Sequence, residues 1–236
     1  MLRTKLKLSK FYHDWGGLPV FAAGALILVI VIWLIWSGRP GSTTNDEAFQ
    51  PTGTYQNIPT NGTELGNDDS PLTIWLHEDF QCSHCKTFSE NIVKPLIDSY
   101  VQEGQVKIVF VNTPILGRES FNAATASLCA ADQNLFWEYH NLLFLRQGKP
   151  NSGVFSLPNL VDFADELVNA GLPLDTDLFG TCVNSEQEHD AVQTAAELAL
   201  KNGFTGGTPY TLIGNYPVSG VVKLADIQQI IENQLE

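Results

Sequence analysis

The chain has 236 residues, 44% of which are hydrophobic, enough for one globular domain with an additional segment but not for two full domains. Its formal net charge is -13, and the part from residue 37 onward carries 9 basic and 25 acidic side chains, a net -16. Proteins that bind nucleic acid contact the phosphates with clustered Lys and Arg, so this composition argues against nucleic acid as a partner.

The N-terminal part has the pattern of a membrane anchor. Residues 18–36 form a run of 19 residues without a charge, and basic residues precede it. A helix of that length crosses about 30 Å of hydrocarbon, and basic residues favour the cytoplasmic side. We therefore predict a cytoplasmic segment 1–17, a single transmembrane anchor 18–36 and an extracytoplasmic remainder, in a periplasm or at a cell surface. A cleaved signal peptide is the alternative, although no small-x-small site follows the run.

Residues 37–70 are rich in Gly, Ser, Thr, Asn and Pro. They contain few large apolar side chains, too few to offset the entropy of ordering, so we predict a flexible linker. Asn61 begins a triplet that matches a glycosylation acceptor, a pattern that often occurs by chance. The folded domain is predicted to span 71–236.

The first half of this domain reads as strand, helix and strand. Residues 72–76 form a short apolar run with β-forming residues, typical of a buried strand. From Phe88 to Tyr100 apolar residues recur at three- and four-residue spacing, which predicts a helix that Pro95 should kink. Residues 106–111 predict a second buried strand.

The second half reads as a helical block followed by a hairpin and a helix. The helical pattern covers about 115–202, and three of its aromatic residues are expected to lie in the core: Phe136, Trp137 and Tyr139. Residues 210–213 and 216–218 flank a Gly-Asn turn and predict a β-hairpin. Residues 224–235 predict a final amphipathic helix. The fold class is therefore α/β with a helical insertion.

The stretch Cys82-Ser83-His84-Cys85 lies directly after the first strand and opens the helix. A C-x-x-C pair in this place is typical of a thiol–disulfide redox centre. The N–H groups and the dipole at a helix N-terminus stabilise a thiolate, and the pKa in such motifs falls from about 8.5 to between roughly 3.5 and 7.5. We therefore predict that Cys82 is the nucleophile and Cys85 the resolving thiol.

Two alternatives concern the neighbours of this pair. The imidazole of His84 would further favour the thiolate, or it is a solvated turn residue. The motif could also be half of a zinc site, but zinc would require a second closely spaced pair of ligands. The other two cysteines, Cys129 and Cys182, stand alone and far apart.

Three segments carry a resemblance to a known family: Glu78 to Cys85, Cys129 to His140, and Gly203 to Tyr210. Through them the sequence resembles the DsbA-like thiol oxidoreductases of the thioredoxin superfamily. It implies a thioredoxin fold with a helical insertion. One departure concerns Ser83, because relatives commonly have Pro after the first cysteine.

The resemblance also implies roles for residues outside the cysteine pair. Pro209 would follow a cis peptide bond, and Thr208 would offer backbone hydrogen bonds to a substrate peptide. An acidic residue just before the pair, Asp79 in preference to Glu78, would assist proton movement from the buried thiol, and either could instead be a surface charge. Some exported relatives have a second, structural disulfide at the positions of Cys129 and Cys182, although two separate buried thiols stay an alternative.

The sequence thus predicts a membrane-anchored, extracytoplasmic protein disulfide oxidoreductase that oxidises the cysteines of reduced or unfolded exported proteins. The direction follows the redox potential, so a reductase or isomerase serving cytochrome or metal-site maturation is an alternative. A non-redox chaperone that binds unfolded segments beside Pro209 is another. Family analogy adds a quinone-linked membrane thiol oxidase as partner, and no dissociable cofactor or metal is expected.

Overall fold

One six-stranded sheet organises the described structure. The computed structural model describes residues 49–51, 55, 57–201, 204 and 206–236. The predicted segments 1–17 and 18–36 lie outside these ranges. Within the ranges, no helix combines the length and the apolar character needed to cross a membrane.

The strands follow the order β1-β2-β4-β3-β5-β6 across the sheet. Their bounds are Thr60–Asn61 (β1), Glu64–Leu65 (β2), Leu72–Glu78 (β3), Val106–Asn112 (β4), Tyr210–Ile213 (β5) and Tyr216–Ser219 (β6). The central strands β3 and β4 are parallel, whereas the other neighbours pair antiparallel. Both central strands are rich in β-branched and aromatic residues, which suits a sheet buried on both faces. The predicted strands and hairpin are confirmed.

Helices lie between strands β3 and β4, between strands β4 and β5, and after the last strand. The described part contains Ser83–Phe88 (α1), Lys94–Leu96 (α2), Arg118–Ala131 (α3), Phe136–Arg146 (α4), Leu157–Asn169 (α5), Thr176–Val183 (α6), Glu186–Lys201 (α7) and Leu224–Leu235 (α8). The predicted helical block corresponds to α3 through α7, and the predicted final helix to α8. Both predictions are confirmed.

The helix that follows the cysteine pair changes its hydrogen bonding near Pro95. Ser89–Val93 forms π-helical turns before α2, and Ile97–Val101 forms π-helical turns after it. A proline lacks the N–H group and crowds the carbonyl four residues earlier. Wider turns on either side are a known way to accommodate such a disruption. The helix therefore continues past Pro95 with an altered hydrogen-bond pattern.

The folded domain begins earlier than the sequence predicts. The strand β2 pairs antiparallel with β4, and Leu65 is fully buried. Trp137 Nε1 donates a hydrogen bond of 3.4 Å to the carbonyl of Glu64, which ties β2 to the helical block. The prediction of a flexible linker over 37–70 is therefore wrong for its C-terminal part. Strands of two residues are too short to show the alternation by which a strand is recognised.

The helical block is joined internally by a disulfide. Cys129 of α3 and Cys182 of α6 are bonded, with Cα atoms 5.8 Å apart. This bond removes both residues from the set of possible zinc ligands. The aromatic residues Phe136, Trp137 and Tyr139 are buried in the core, as predicted.

Candidate active site

Cys82 lies where the chain passes from β3 into α1. It is the N-cap residue of α1, and its carbonyl accepts hydrogen bonds from the backbone N–H groups of Cys85 (3.0 Å) and Lys86 (3.2 Å). Both thiols are free, Cys82 is 9% exposed, and Cys85 is fully buried. The strand thus delivers the first cysteine to the helix start, and the first helical turn brings the second cysteine beneath it.

The surroundings of Cys82 favour its thiolate. The pKa of Cys82 is lowered to about 5, and the largest cause is a hydrogen bond from the Cys85 thiol. Burial acts in the opposite direction, while the side chain of Thr208 and the backbone N–H groups of Cys85 and His84 lower the pKa further. The arrangement agrees with the effect expected of a helix N-terminus. Cys82 is therefore ionised at neutral pH.

Cys85 has the opposite character. Burial raises the pKa of its thiol far above the usual range, and its hydrogen bond to Cys82 and the charge of Glu78 add to this effect. The Cys85 thiol is consequently protonated throughout the physiological range. One cysteine is thus prepared to attack or to leave as a thiolate, and the other holds a proton.

Thr208, which precedes Pro209 and is far from Cys82 in the sequence, lies next to Cys82 in space. The peptide bond between Thr208 and Pro209 is cis, and Pro209 is buried. In its protonated form, the Cys82 thiol donates a hydrogen bond of 3.4 Å to the carbonyl of Thr208. The antiparallel pairing of β5 with β3, in which Tyr210 is opposite His77, brings these residues to the pair.

Asp79 has a structural place in the site. Its Oδ1 accepts a hydrogen bond of 2.8 Å from the backbone N–H of Gln81. Its Oδ2 accepts hydrogen bonds from the backbone N–H groups of Ile115 (2.8 Å) and Leu116 (2.9 Å). The carboxylate therefore fixes the turn before Cys82 to the loop after β4, and its oxygens are occupied in doing so.

Glu78 is the acid that is coupled to the cysteine pair. It is 1% exposed, and both carboxyl oxygens are buried without a hydrogen-bond partner. Burial and, to a smaller extent, the charge of Cys82 raise its pKa well above the ordinary value. The sequence favoured Asp79 for proton movement, whereas the structure places Glu78 in that environment. The alternation along β3 could have shown this, because Glu78 continues the buried face of Ile74 and Leu76.

The two residues between the cysteines are exposed. His84 contributes its backbone N–H to the environment of the Cys82 sulfur, which differs from the predicted role of its imidazole. Ser83 begins α1, and its carbonyl accepts a hydrogen bond of 3.1 Å from the Thr87 hydroxyl. Across the described residues, no group of three or more His, Cys, Asp or Glu side chains is placed to hold a metal ion.

Two glutamines that the sequence did not single out connect the segment around Cys82 to the helical block. Gln81 contacts Ser120 and Asn151, and Gln147 contacts the carbonyls of Phe80 and Cys82. These contacts join residues from 39 to 70 positions apart in the chain. A single glutamine carries no motif, so the sequence contains no signal for them.

Comparison with known proteins gives the same assignment. The family model described as Thioredoxin matches residues 60–233. Disulfide bond formation protein D of Bacillus subtilis is 25% identical over 174 residues, which cover 73% of this chain and 76% of that protein. A probable disulfide bond formation protein D of Bacillus anthracis is 26% identical over 154 residues, covering 64% of this chain and 69% of that protein.

A solved structure shows the same fold. The crystal structure of oxidised BdbD from Bacillus subtilis matches with a TM-score of 0.66 at 24% identity, covering 80% of this chain and 97% of that one. The predicted thioredoxin fold with a helical insertion is confirmed. The chain therefore belongs to the thioredoxin family and is a DsbA-like thiol–disulfide oxidoreductase.

Proposed function

We propose that this oxidoreductase acts outside the cytoplasm, held in the membrane by residues 18–36, and oxidises the cysteines of reduced exported proteins. The observation that carries the direction is the contrast between the two thiols, an ionised Cys82 above a buried, protonated Cys85. A stabilised thiolate favours the reduced protein, and a protein whose reduced form is favoured is a strong oxidant. The relatives named for disulfide bond formation support the same direction.

The reaction begins with the pair as a disulfide. A substrate thiolate attacks Cys82 Sγ, the bond between Cys82 and Cys85 breaks, and Cys85 leaves as a thiolate. Because burial disfavours that thiolate, Cys85 takes up a proton, and Glu78 is the buried acid that supplies it.

The second step releases the oxidised substrate. A second substrate thiolate attacks the substrate sulfur of the mixed disulfide, and Cys82 leaves as the thiolate that its surroundings stabilise. Two electrons have then passed from the substrate to the cysteine pair. The carbonyl of Thr208, next to Cys82 Sγ, is placed to bind the backbone of the substrate peptide. A membrane thiol oxidase, quinone-linked by family analogy, would restore the disulfide.

The redox potential of the pair tests the direction. We expect equilibration of the full-length protein with glutathione to give a potential nearer the roughly -120 mV of a strong thiol oxidase than the roughly -270 mV of thioredoxin. A value near -270 mV would favour a reductase or isomerase. Cys82→Ser should abolish oxidation of a reduced reporter protein with two cysteines. If the variant still promoted folding of the reporter without oxidising its cysteines, the protein would act as a chaperone instead.

The anchor is tested by fractionation. We expect full-length protein to stay with membranes through an alkaline carbonate wash, and a variant without residues 1–36 to leave them, because the uncharged run is long enough to span the bilayer. Protease added outside intact cells, or outside an opened outer envelope, should digest the domain that contains Cys82. Release of full-length protein by carbonate, or protection from external protease, would contradict the proposed location.

A further inference from the structure

A side chain from the helical block holds the backbone that carries Cys82. Gln147 directly follows α4, and its Nε2 donates hydrogen bonds to the carbonyls of Phe80 (2.7 Å) and Cys82 (3.0 Å). The Cys82 carbonyl is the same one that accepts the first backbone hydrogen bonds of α1. Gln147 therefore contacts the redox helix at its starting point.

The turn before Cys82 and the loop after α4 exchange hydrogen bonds in both directions. Gln81 Oε1 accepts a hydrogen bond of 2.5 Å from the backbone N–H of Asn151, and its Nε2 donates one of 2.8 Å to the Ser120 hydroxyl. Gln147 and Asn151 belong to the same loop after α4. Each segment thus offers a side-chain amide to the backbone of the other, which fixes their relative position more firmly than a single contact would.

Packing reinforces this connection. The ring of Phe80 packs against rings of α4, with its centroid 5.2 Å from that of Phe144 and 5.7 Å from that of His140. Phe80 is 1% exposed, so its carbonyl lies in a residue with little access to water. Loss of the Gln147 amide would remove this donor from the Phe80 carbonyl, which is costly in a buried place, and would leave the Cys82 carbonyl with only the two donors of its own helix.

We infer that Gln147 is a positioning residue that fixes the Cys82 carbonyl at the start of α1 and thereby sets the reactivity of the Cys82 thiol. The backbone N–H groups of His84 and Cys85 face the sulfur only while the first turn keeps its orientation. Hydrogen bonds weaken steeply with misalignment, so a small tilt of this turn reduces the stabilisation of the thiolate. The inference rests on Cys82 being the reactive thiol.

The test is the pH titration of the Cys82 thiolate in full-length, reduced protein, followed by absorbance at 240 nm. Gln147→Met keeps the length of the side chain but removes the amide, and we expect it to raise the pKa of Cys82 by about 1, equivalent to one lost hydrogen bond. Gln147→Glu should raise it further, because an ionised carboxylate would face two carbonyls and add a negative charge near the thiolate.

Gln133→Met is the matched control. Gln133 Nε2 donates to the Asp175 carbonyl at 3.1 Å, and its Oε1 accepts from the Asp175 N–H at 2.7 Å, so it makes the same kind of contact within the helical block. We expect this variant to lose stability without any change in the Cys82 titration. A purely structural role of Gln147 would give the same pattern.

The titrations distinguish a wrong assignment of Cys82 from a wrong inference about Gln147. If the parent protein titrates like an ordinary thiol, the assignment of Cys82 as the stabilised thiolate is wrong. The inference about Gln147 is overturned if the parent titrates near pH 5 and the pKa of Cys82 in Gln147→Met equals that of the parent. In that case Gln147→Met would only lose stability, as Gln133→Met does. Should Gln147→Met fail to fold, Gln147→Leu, which is also uncharged and also lacks the amide, provides the same comparison.

Discussion

The reduced protein should gain stability over the oxidised protein as the pH rises, by roughly 2 kcal/mol between pH 5 and pH 7 and by about 4 kcal/mol near pH 8 to 9. The folded protein lowers the pKa of Cys82 from 9.0 to about 5. The stabilisation from the thiolate is therefore present above pH 9 and is lost as the pH falls toward 5. Above pH 9 the protonated Cys85 opposes the gain, because its thiol ionises in the unfolded chain but not in the folded one.

Denaturant unfolding of both redox forms at pH 5, 7 and 8 measures this difference. Ionisable groups that are not coupled to the pair contribute equally to both forms, so the changing gap between the curves reports the free thiols together with Glu78, whose pKa depends on the charge of Cys82. Reduced Cys82→Ser is the control. Because it lacks the thiolate, its free energy of unfolding should fall below that of the reduced parent by the same amount as the pH rises. At pH 7 the thiolate contributes nearly 3 kcal/mol, which corresponds to about 60 mV of oxidising power. Parallel curves for the two forms would contradict the assignment.

Glu78→Gln should slow the attack of a substrate thiol on the oxidised pair by about 100- to 1,000-fold at pH 7, the loss typical of a missing general acid. The amide has the size of the carboxyl group but has no proton to give to the leaving Cys85 thiolate. Single-turnover mixing of oxidised protein with a dithiol peptide, followed by acid quenching, measures this step. A rate within threefold of the parent would exclude Glu78 as the proton donor.

Asp79→Asn is the matched control for this experiment. Asp79 precedes the pair by three residues, but its oxygens bind the backbone of Gln81, Ile115 and Leu116. We expect it to lower the free energy of unfolding by about 1–3 kcal/mol with a much smaller effect on the rate. Glu78→Leu should instead raise the free energy of unfolding by about 1–3 kcal/mol, because it removes a buried carboxyl group without a partner. Opposite signs in stability would distinguish the two adjacent acids.

Local patterns in the sequence were sufficient for most secondary structure. The buried strands, the helical block and the hairpin each extend over enough residues to show their period, and each was found close to its observed bounds. The hairpin of β1 and β2 was missed because its strands have two residues each. Their place on the sheet depends on pairing with β4 and on contacts such as that of Trp137 with Glu64.

For the cysteine pair, too, some features follow from the local sequence and others depend on tertiary contacts. Its spacing, its position after a strand and its helix start are local, so the sequence alone was sufficient to predict a thiol–disulfide centre with Cys82 as the reactive thiol. The tertiary structure decided which groups surround it: Thr208 on the sulfur, Glu78 rather than Asp79 as the coupled acid, and Gln147 on the backbone. A pKa or a hydrogen bond depends on the distance between groups, and only the fold brings residues from distant parts of the chain within that distance.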